Sequence, residues 1–433
     1  MRGIVQLLSK QPNYARLLQW GRLITITGSA QIIIQGIGFV SGILVIRLLP
    51  TQDYAYYTIA NTMLGTMLVL ADGGIISGVL SEGGKVWHNP TKFGAVIVTG
   101  FHLRRRFTIF SLLVAVPLLY YLLSSHGASL QLSFLMIFCL VPAFFTALSG
   151  TLLEIAPKLK QEVLPLQKIQ VITSLGRLIL TSTCLLIFPF TWIALIATGI
   201  PQLYGNHLLK KMSKNLADYS QKPDKLVEKA ILKIVKRVMP GSIYYCFSAQ
   251  ITIWLISMFG STHAIAQMGA LGRVGMLLTI FTVMFSTLVL PRFARLSADY
   301  HLLIRRFLQL EFALFILSGL IIGFFWLFST QILWILGNEY RNLNVEVVLN
   351  IIGTCLSLIA GITFNLYSSR GWAINPFLSI GINICSIVTG VFLFNVATLT
   401  GILLLNIFIA GAQAIMSLTY SLIKIQQLKY QDG

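Results

Sequence analysis

The sequence predicts an all-α polytopic membrane protein of about twelve transmembrane helices, with both termini cytoplasmic. Three observations carry that expectation. Hydrophobic residues make up 56% of the 433-residue chain and charged residues only 10%, against about a quarter charged in an ordinary soluble domain, and the mean hydropathy is +0.81. Apolar runs of roughly the 20 residues needed to cross a bilayer follow one another along the chain and leave no hydrophilic block for a separate soluble domain. The basic residues gather in alternate connections.

The expected spans are roughly 22–48, 54–80, 106–124, 130–154, 165–187, 189–208, 239–260, 264–290, 304–328, 345–368, 374–396 and 398–422. Residues 1–21 read as a cytoplasmic amphipathic segment and 424–433 as a cytoplasmic tail. Lys85, Lys92, Arg104 and Arg105 lie between spans two and three, Lys158 and Lys160 between four and five, and nine basic residues between Lys210 and Arg237. The opposite connections hold Asp53, then Glu339 and Arg341, and otherwise no charge. Such asymmetry is what the positive-inside rule asks of an even number of spans with both ends in the cytoplasm. It accounts for most of the +19 net charge without a nucleic-acid partner. The basic stretch 209–238 reads as a linker with a surface helix from Pro223, attractive to anionic lipid heads. It separates a first half, 22–208, from a second, 239–423.

The halves echo one another. A shift of 210 residues lays Asp53–Met67 on His263–Leu277, aligning Ala60 with Ala270 and Gly65 with Gly275, a parallel repeat of the kind found in transporter folds. The five cysteines sit in apolar runs without metal-like spacing and read as small buried residues. Trp20, Tyr54, Tyr56, Tyr57, Trp87, Trp192 and Trp372 fall near span ends and read as interface anchors.

Residues Arg47 to Gly74 run RLLPTQDYAYYTIANTMLGTMLVLADGG, two apolar spans joined by a polar elbow. Leu48-Leu49-Pro50, then Asp53-Tyr54 with Tyr57, then an apolar helix ending Leu70-Ala71-Asp72-Gly73-Gly74, resembles the first hairpin of the bacterial O-antigen flippase family. Ala55 stands where that family usually has glycine. The family belongs to the multidrug/oligosaccharidyl-lipid/polysaccharide exporter (MOP) superfamily, with the lipid II flippases and the multidrug and toxic-compound extrusion (MATE) transporters. The resemblance implies a MATE-like fold, two six-helix bundles flanking a V-shaped cavity. It further implies a bacterial inner-membrane flippase for undecaprenyl-diphosphate-linked oligosaccharide units of O-antigen or another surface polysaccharide, working among membrane lipids and beside polymerase and chain-length machinery. Proton or sodium coupling stays open. Lipid II flippases carry two further spans, for which this chain has no room.

Charges inside spans cost about 2.5–3.5 kcal/mol at the bilayer centre by insertion scales, so each is a functional candidate. Arg177 and Arg273 lie about nine residues, or roughly 14 Å at 1.5 Å per residue, inside spans five and eight. One cation per half at matched depth suggests a positively charged cavity suited to a diphosphate, whose oxygens a guanidinium grips bidentately; structural pairing with a carboxylate or helix carbonyls is the alternative. Arg22 and Arg47 bracket span one, as snorkelling anchors or at the cavity mouth. Asp72, Glu311 and Glu154 are expected near the cytoplasmic ends of spans two, nine and four, as interfacial partners of Arg104 to Arg106, Arg305 or Arg306, or as gating ion pairs.

No GxSxG, HExxH, Walker A loop or acidic metal cluster occurs, so no catalytic residue, metal or cofactor is expected and the chain does not read as an enzyme. A membrane polysaccharide polymerase or ligase fits poorly, because the longest external connection is only 328–345. The stronger competitor is a MATE-type cation-coupled drug or metabolite exporter, which would place carboxylates deep in the membrane where this sequence places arginines.

Overall fold

The computed structural model describes residues 12–290, 293, 296, 299–370, 372 and 374–429, with backbone alone for 12–27, 242, 243, 245–247, 249, 250 and 286–288. The described residues contain helices and no strand. In chain order these are α1 (Pro12–Leu48), α2 (Thr51–Asp72), α3 (Ile75–Val86), α4 (Pro90–Ser125), α5 (Leu130–Leu153), α6 (Ile155–Leu159), α7 (Val163–Ile187) and α8 (Thr191–Lys214). The second half holds α9 (Lys225–Phe259), α10 (Thr262–Gly275), α11 (Thr279–Leu288), α12 (Tyr300–Leu327), α13 (Ser329–Leu336), α14 (Asn344–Ser369), α15 (Pro376–Leu393) and α16 (Leu399–Lys429).

A helix stands at every expected span. Among the described residues, nine helices are long and apolar enough to cross a membrane, and α2 with α3, bent by 45°, makes a tenth. The remaining two positions are held by α8 and α9. Capping follows the sequence: Asn89 accepts from Thr91 N and Lys92 N with Pro90 in the first turn, Ser261 accepts from Ala264 N, and Asp299 from His301 N. These side chains satisfy amide donors that have no partner within the helix. The bend between α2 and α3 has a local cause. Gly73 (φ 51) and Gly74 (φ 95) take left-handed backbone, which closes α2, and Asp72 accepts from Gly74 N and Ile76 N to start α3.

Several boundaries differ from expectation. The connection between spans two and three, expected as loop, is helical: α4 begins at Pro90, not 106. The linker's surface helix does not stop before the membrane but continues as α9 through Pro240 to Phe259, 35 residues, or about 52 Å, well beyond a hydrocarbon layer of about 30 Å. Residues 12–21, expected as a separate surface segment, prolong span one, and α16 runs past 424 to Lys429. Cys139 and Cys355 are buried as expected, but Cys385 is exposed; the Cys246 side chain lies outside the described residues.

One hydrophobic core runs through both halves, and a second lies at the end that carries the basic linker, here the basic face. There Ile231 and Val235 of α9 pack with Ile75, Val79, Phe93 and Ile97. In the linker, hydrogen bonds from the side chains of Ser220 and Gln221 hold the Asp218 carboxyl below its ordinary range. Large apolar side chains such as Phe138, Phe312, Phe377 and Phe392 point outward, as a lipid-facing surface requires.

At the opposite end, the elbow face, the halves meet. α2 packs directly on α10, and the repeat-related Ala60 and Ala270 are both fully buried. His126 bridges from the first half to the Ser257 carbonyl (2.6 Å) and the Thr262 hydroxyl (3.2 Å). A Cβ on Gly269 would stand 2.3 Å from Thr58 Oγ1, so glycine permits this crossing. Gly269→Ala is expected to lower the thermal midpoint of the detergent-purified protein, and adding Thr58→Ala, which removes the clashing hydroxyl, to recover most of the loss.

Candidate functional site

α1 supplies Gly38, Ser41 and Gly42 to a cavity of about 230 Å³ whose wall α2 continues with Tyr57, Asn61 and Leu64. Thr146 of α5, Arg177 of α7 and Gln202 of α8 close the first-half side; Arg273 and Met276 enter from the second half. The structure therefore brings Arg177 and Arg273 into one cavity, largely within the first bundle, with Arg273 reaching across from α10.

Arg273 is seated by close packing. A Cβ on Gly42 would lie 3.0 Å from Arg273 Cδ and 3.3 Å from Nε, so the bare backbone of α1 forms its cradle. Its guanidinium donates to Met276 Sδ (3.7 Å) and faces the hydroxyls of Tyr54 and Tyr57. Neither arginine has a carboxylate at salt-bridge distance among the described residues, where the four ion pairs all lie elsewhere. Arg177 makes no hydrogen bond at all there. The cavity thus concentrates positive charge with neutral acceptors and donors around it, Gln202 and Asn206 being joined to each other and Asn206 to Thr146 O.

The other expected site residues fall elsewhere. Arg47 is not in this cavity. It stands at the elbow face in a separate one of about 710 Å³, donating to Trp334 O and Ile335 O (2.6 and 2.7 Å) and lying over the Trp334 ring, so it ties α1 to α13. The Arg22 side chain lies outside the described residues. Asp72 pairs with Arg104, whose guanidinium also donates to Leu148 O and to Thr151 Oγ1, so this pair staples α2, α4 and α5 near the basic face. Glu154 pairs not with Arg104 to Arg106 but with Lys158 (2.7 Å) and Gln170 (2.9 Å); Gln31 donates in turn to Gln167 and Gln170.

Glu311 is a clear correction. The sequence places it near the interface beside Arg305 and Arg306. In the structure α12 starts earlier, at Tyr300, so Glu311 lies about 16 Å along it, is 4% exposed and touches neither arginine, its Oε1 lying instead 2.8 Å from Thr363 Oγ1. Sequence reasoning also missed Tyr54, Tyr56 and Tyr57 as interior groups: all three are buried, not interface anchors. Trp20's side chain lies outside the described residues. The signal for the tyrosines was present in their alignment with the packed repeat hairpin.

No protein-family profile and no curated protein matches the chain. Solved structures do. The chain is similar to a structure titled as a MOP superfamily transporter from Pyrococcus furiosus in which reverse polarity of the binding pocket suggests a different function (16% identity, 98% of each chain, TM-score 0.66). It is also similar to the inward-facing conformation of a multidrug resistance MATE family transporter of the MOP superfamily (14% identity, 95% of this chain and 100% of that one, TM-score 0.65), and to an outward-facing one (15% identity, 98% of each, TM-score 0.65). At these identities the likeness establishes the fold: an all-α, two-bundle MATE-like membrane protein.

Removing one partner from a buried ion pair strands the other charge. Asp72→Asn is expected to cost about 3 kcal/mol, read as thermal unfolding in detergent, because Arg104 is 3% exposed. Asp72→Leu with Arg104→Met, which removes both charges, is expected to be closer to wild type than the single variant.

Proposed function

We propose that the chain is an alternating-access flippase that carries an undecaprenyl-diphosphate-linked oligosaccharide unit across the bacterial inner membrane. The observation that carries this reading is the pairing of Arg177 and Arg273, both without a counter-charge among the described residues, in one cavity. Two guanidinium groups held deep in a low-dielectric setting cost free energy unless an anion neutralises them. A diphosphate supplies two or more charges and acceptor oxygens at the spacing of forked donors. The cavity is small beside an oligosaccharide, so it takes the phosphates, leaving sugar and polyprenyl chain outside. The hairpin resemblance points to the same cargo.

A second reading is a cation-coupled drug exporter. Two observations favour it: the structural neighbours titled as multidrug resistance MATE transporters, and the deep carboxylate of Glu311, of the kind such an exporter needs and the sequence did not reveal. The first reading stands ahead because the charges that line the cavity are cationic, and would repel a cationic drug.

The test is surface-glycan export in a flippase-deleted host complemented with the chain. Wild type is expected to restore export. Arg177→Ala and Arg273→Ala, at matched membrane levels, are each expected to cut it at least about tenfold, as loss of one charged hydrogen-bonding group of about 1.5–3 kcal/mol implies. Gly42→Val, which occupies the cradle of Arg273, is expected to do the same. Drug resistance without glycan export would favour the exporter.

A further inference from the structure

Glu311 is a buried charge-bearing group that the anion cavity does not use. Its Oε2 has no hydrogen-bond partner among the described residues. Its Oε1 lies 2.8 Å from Thr363 Oγ1, and that same Oγ1 lies 2.8 Å from Ile359 O. A threonine hydroxyl carries one proton. A helical threonine ordinarily gives that proton to the carbonyl four residues back, here Ile359 O, and in that arrangement the contact with Glu311 takes its proton from the carboxyl. With Glu311 as the neutral acid both contacts are hydrogen bonds. With Glu311 ionised the single hydroxyl proton must serve two acceptors.

The surroundings point the same way. α12 packs against α13, α14 and α16. α13 presents no titratable group. α14 presents Cys355, set against Ser318, and Tyr367, whose ring meets Tyr420 of α16. α16 adds Lys424, which sits over Tyr420 and donates to Gln427. On α12 itself Arg306 donates to Gln309. None of these cations lies at salt-bridge distance from Glu311 among the described residues. A metal ion is a poor occupant, because it requires several oxygen ligands and no three His, Cys, Asp or Glu side chains gather among the described residues. A proton needs one oxygen.

We propose that Glu311 is a proton-binding site that latches α12 to α14, holding its proton in this elbow-closed conformation and releasing it when the two helices part. The latch reaches the anion cavity through α14. Thr363 and Asn350 stand on that one helix, and the buried Asn350 donates to Leu271 O (2.9 Å), two residues before Arg273 on α10. A Cβ on Gly275 of α10 would likewise lie 3.2 Å from Thr354 of α14. Losing the Glu311 proton leaves the carboxylate and Ile359 O to share the one hydroxyl proton of Thr363, so the seating of α14, and with it the helix that carries Arg273, follows the protonation state. This inference does not depend on which cargo the cavity takes.

Infrared spectroscopy of the purified full-length protein tests it, since a protonated carboxyl has a C=O band distinct from a carboxylate. Wild type at about pH 7, where an ordinary solvated glutamate is ionised, is expected to show a carboxylic-acid band that Glu311→Gln lacks and Thr363→Val shifts in frequency. Glutamine keeps the shape and a donor toward Thr363, so this variant is expected to fold. In reconstituted vesicles, the pH dependence of wild-type turnover is expected to be lost in Glu311→Gln. Coincident wild-type and Glu311→Gln spectra overturn the proposal, whatever the export assay shows. An export failure with the acid band present overturns the cargo reading instead.

Discussion

Two arginine side chains without a counter-charge among the described residues share a cavity of this fold, and much of its local chemistry answers to that fact. A guanidinium cannot shed its proton at any relevant pH, and no carboxylate among the described residues meets the charge of Arg177 or Arg273. The protein handles the buried cation of Arg104 differently. Arg104 is buried against Asp72, a backbone carbonyl and a threonine hydroxyl, a closed arrangement that holds helices together. The contrast separates a structural arginine from two that are kept open.

The open pair is built from both halves. Arg273 belongs to α10 but lies over Gly42 of α1 and faces Tyr54 and Tyr57 of α2, so its position reports the relation between the bundles. The elbow-face contacts fix that relation here: Gly269 against Thr58, His126 across to Ser257 and Thr262, and Arg47 onto the end of α13. Under the proposed alternating access, opening of the elbow face takes Arg273 out of its cradle. On that proposal a cargo neutralised by both arginines in one conformation loses one of them in the other, which is differential affinity between states, the condition under which a ligand shifts a conformational equilibrium.

The sequence made the helices legible because apolar length is a local signature, and it singled out Arg177 and Arg273, which line one cavity, as charges in apolar runs. It did not reveal where the chain keeps helical past the membrane, as in α4 and α9, since polar helix and polar loop look alike without their packing partners Ile231 and Phe93. It misplaced Glu311 because span boundaries were drawn from hydropathy, which ended the span at 304 while the helix began at Tyr300 under an Asp299 cap. It grouped Arg47 with the cavity arginines because both ends of a span look alike in one dimension. The cradle at Gly42 had no sequence signal beyond a glycine among many.

The most direct measurement of the central claim is calorimetric titration of the detergent-purified protein with inorganic pyrophosphate, beside the organic cation tetraphenylphosphonium. The account predicts that pyrophosphate binds, that its affinity falls as salt rises, and that the Arg177→Ala/Arg273→Ala double variant does not bind it. Binding of the cation with none of pyrophosphate would contradict it.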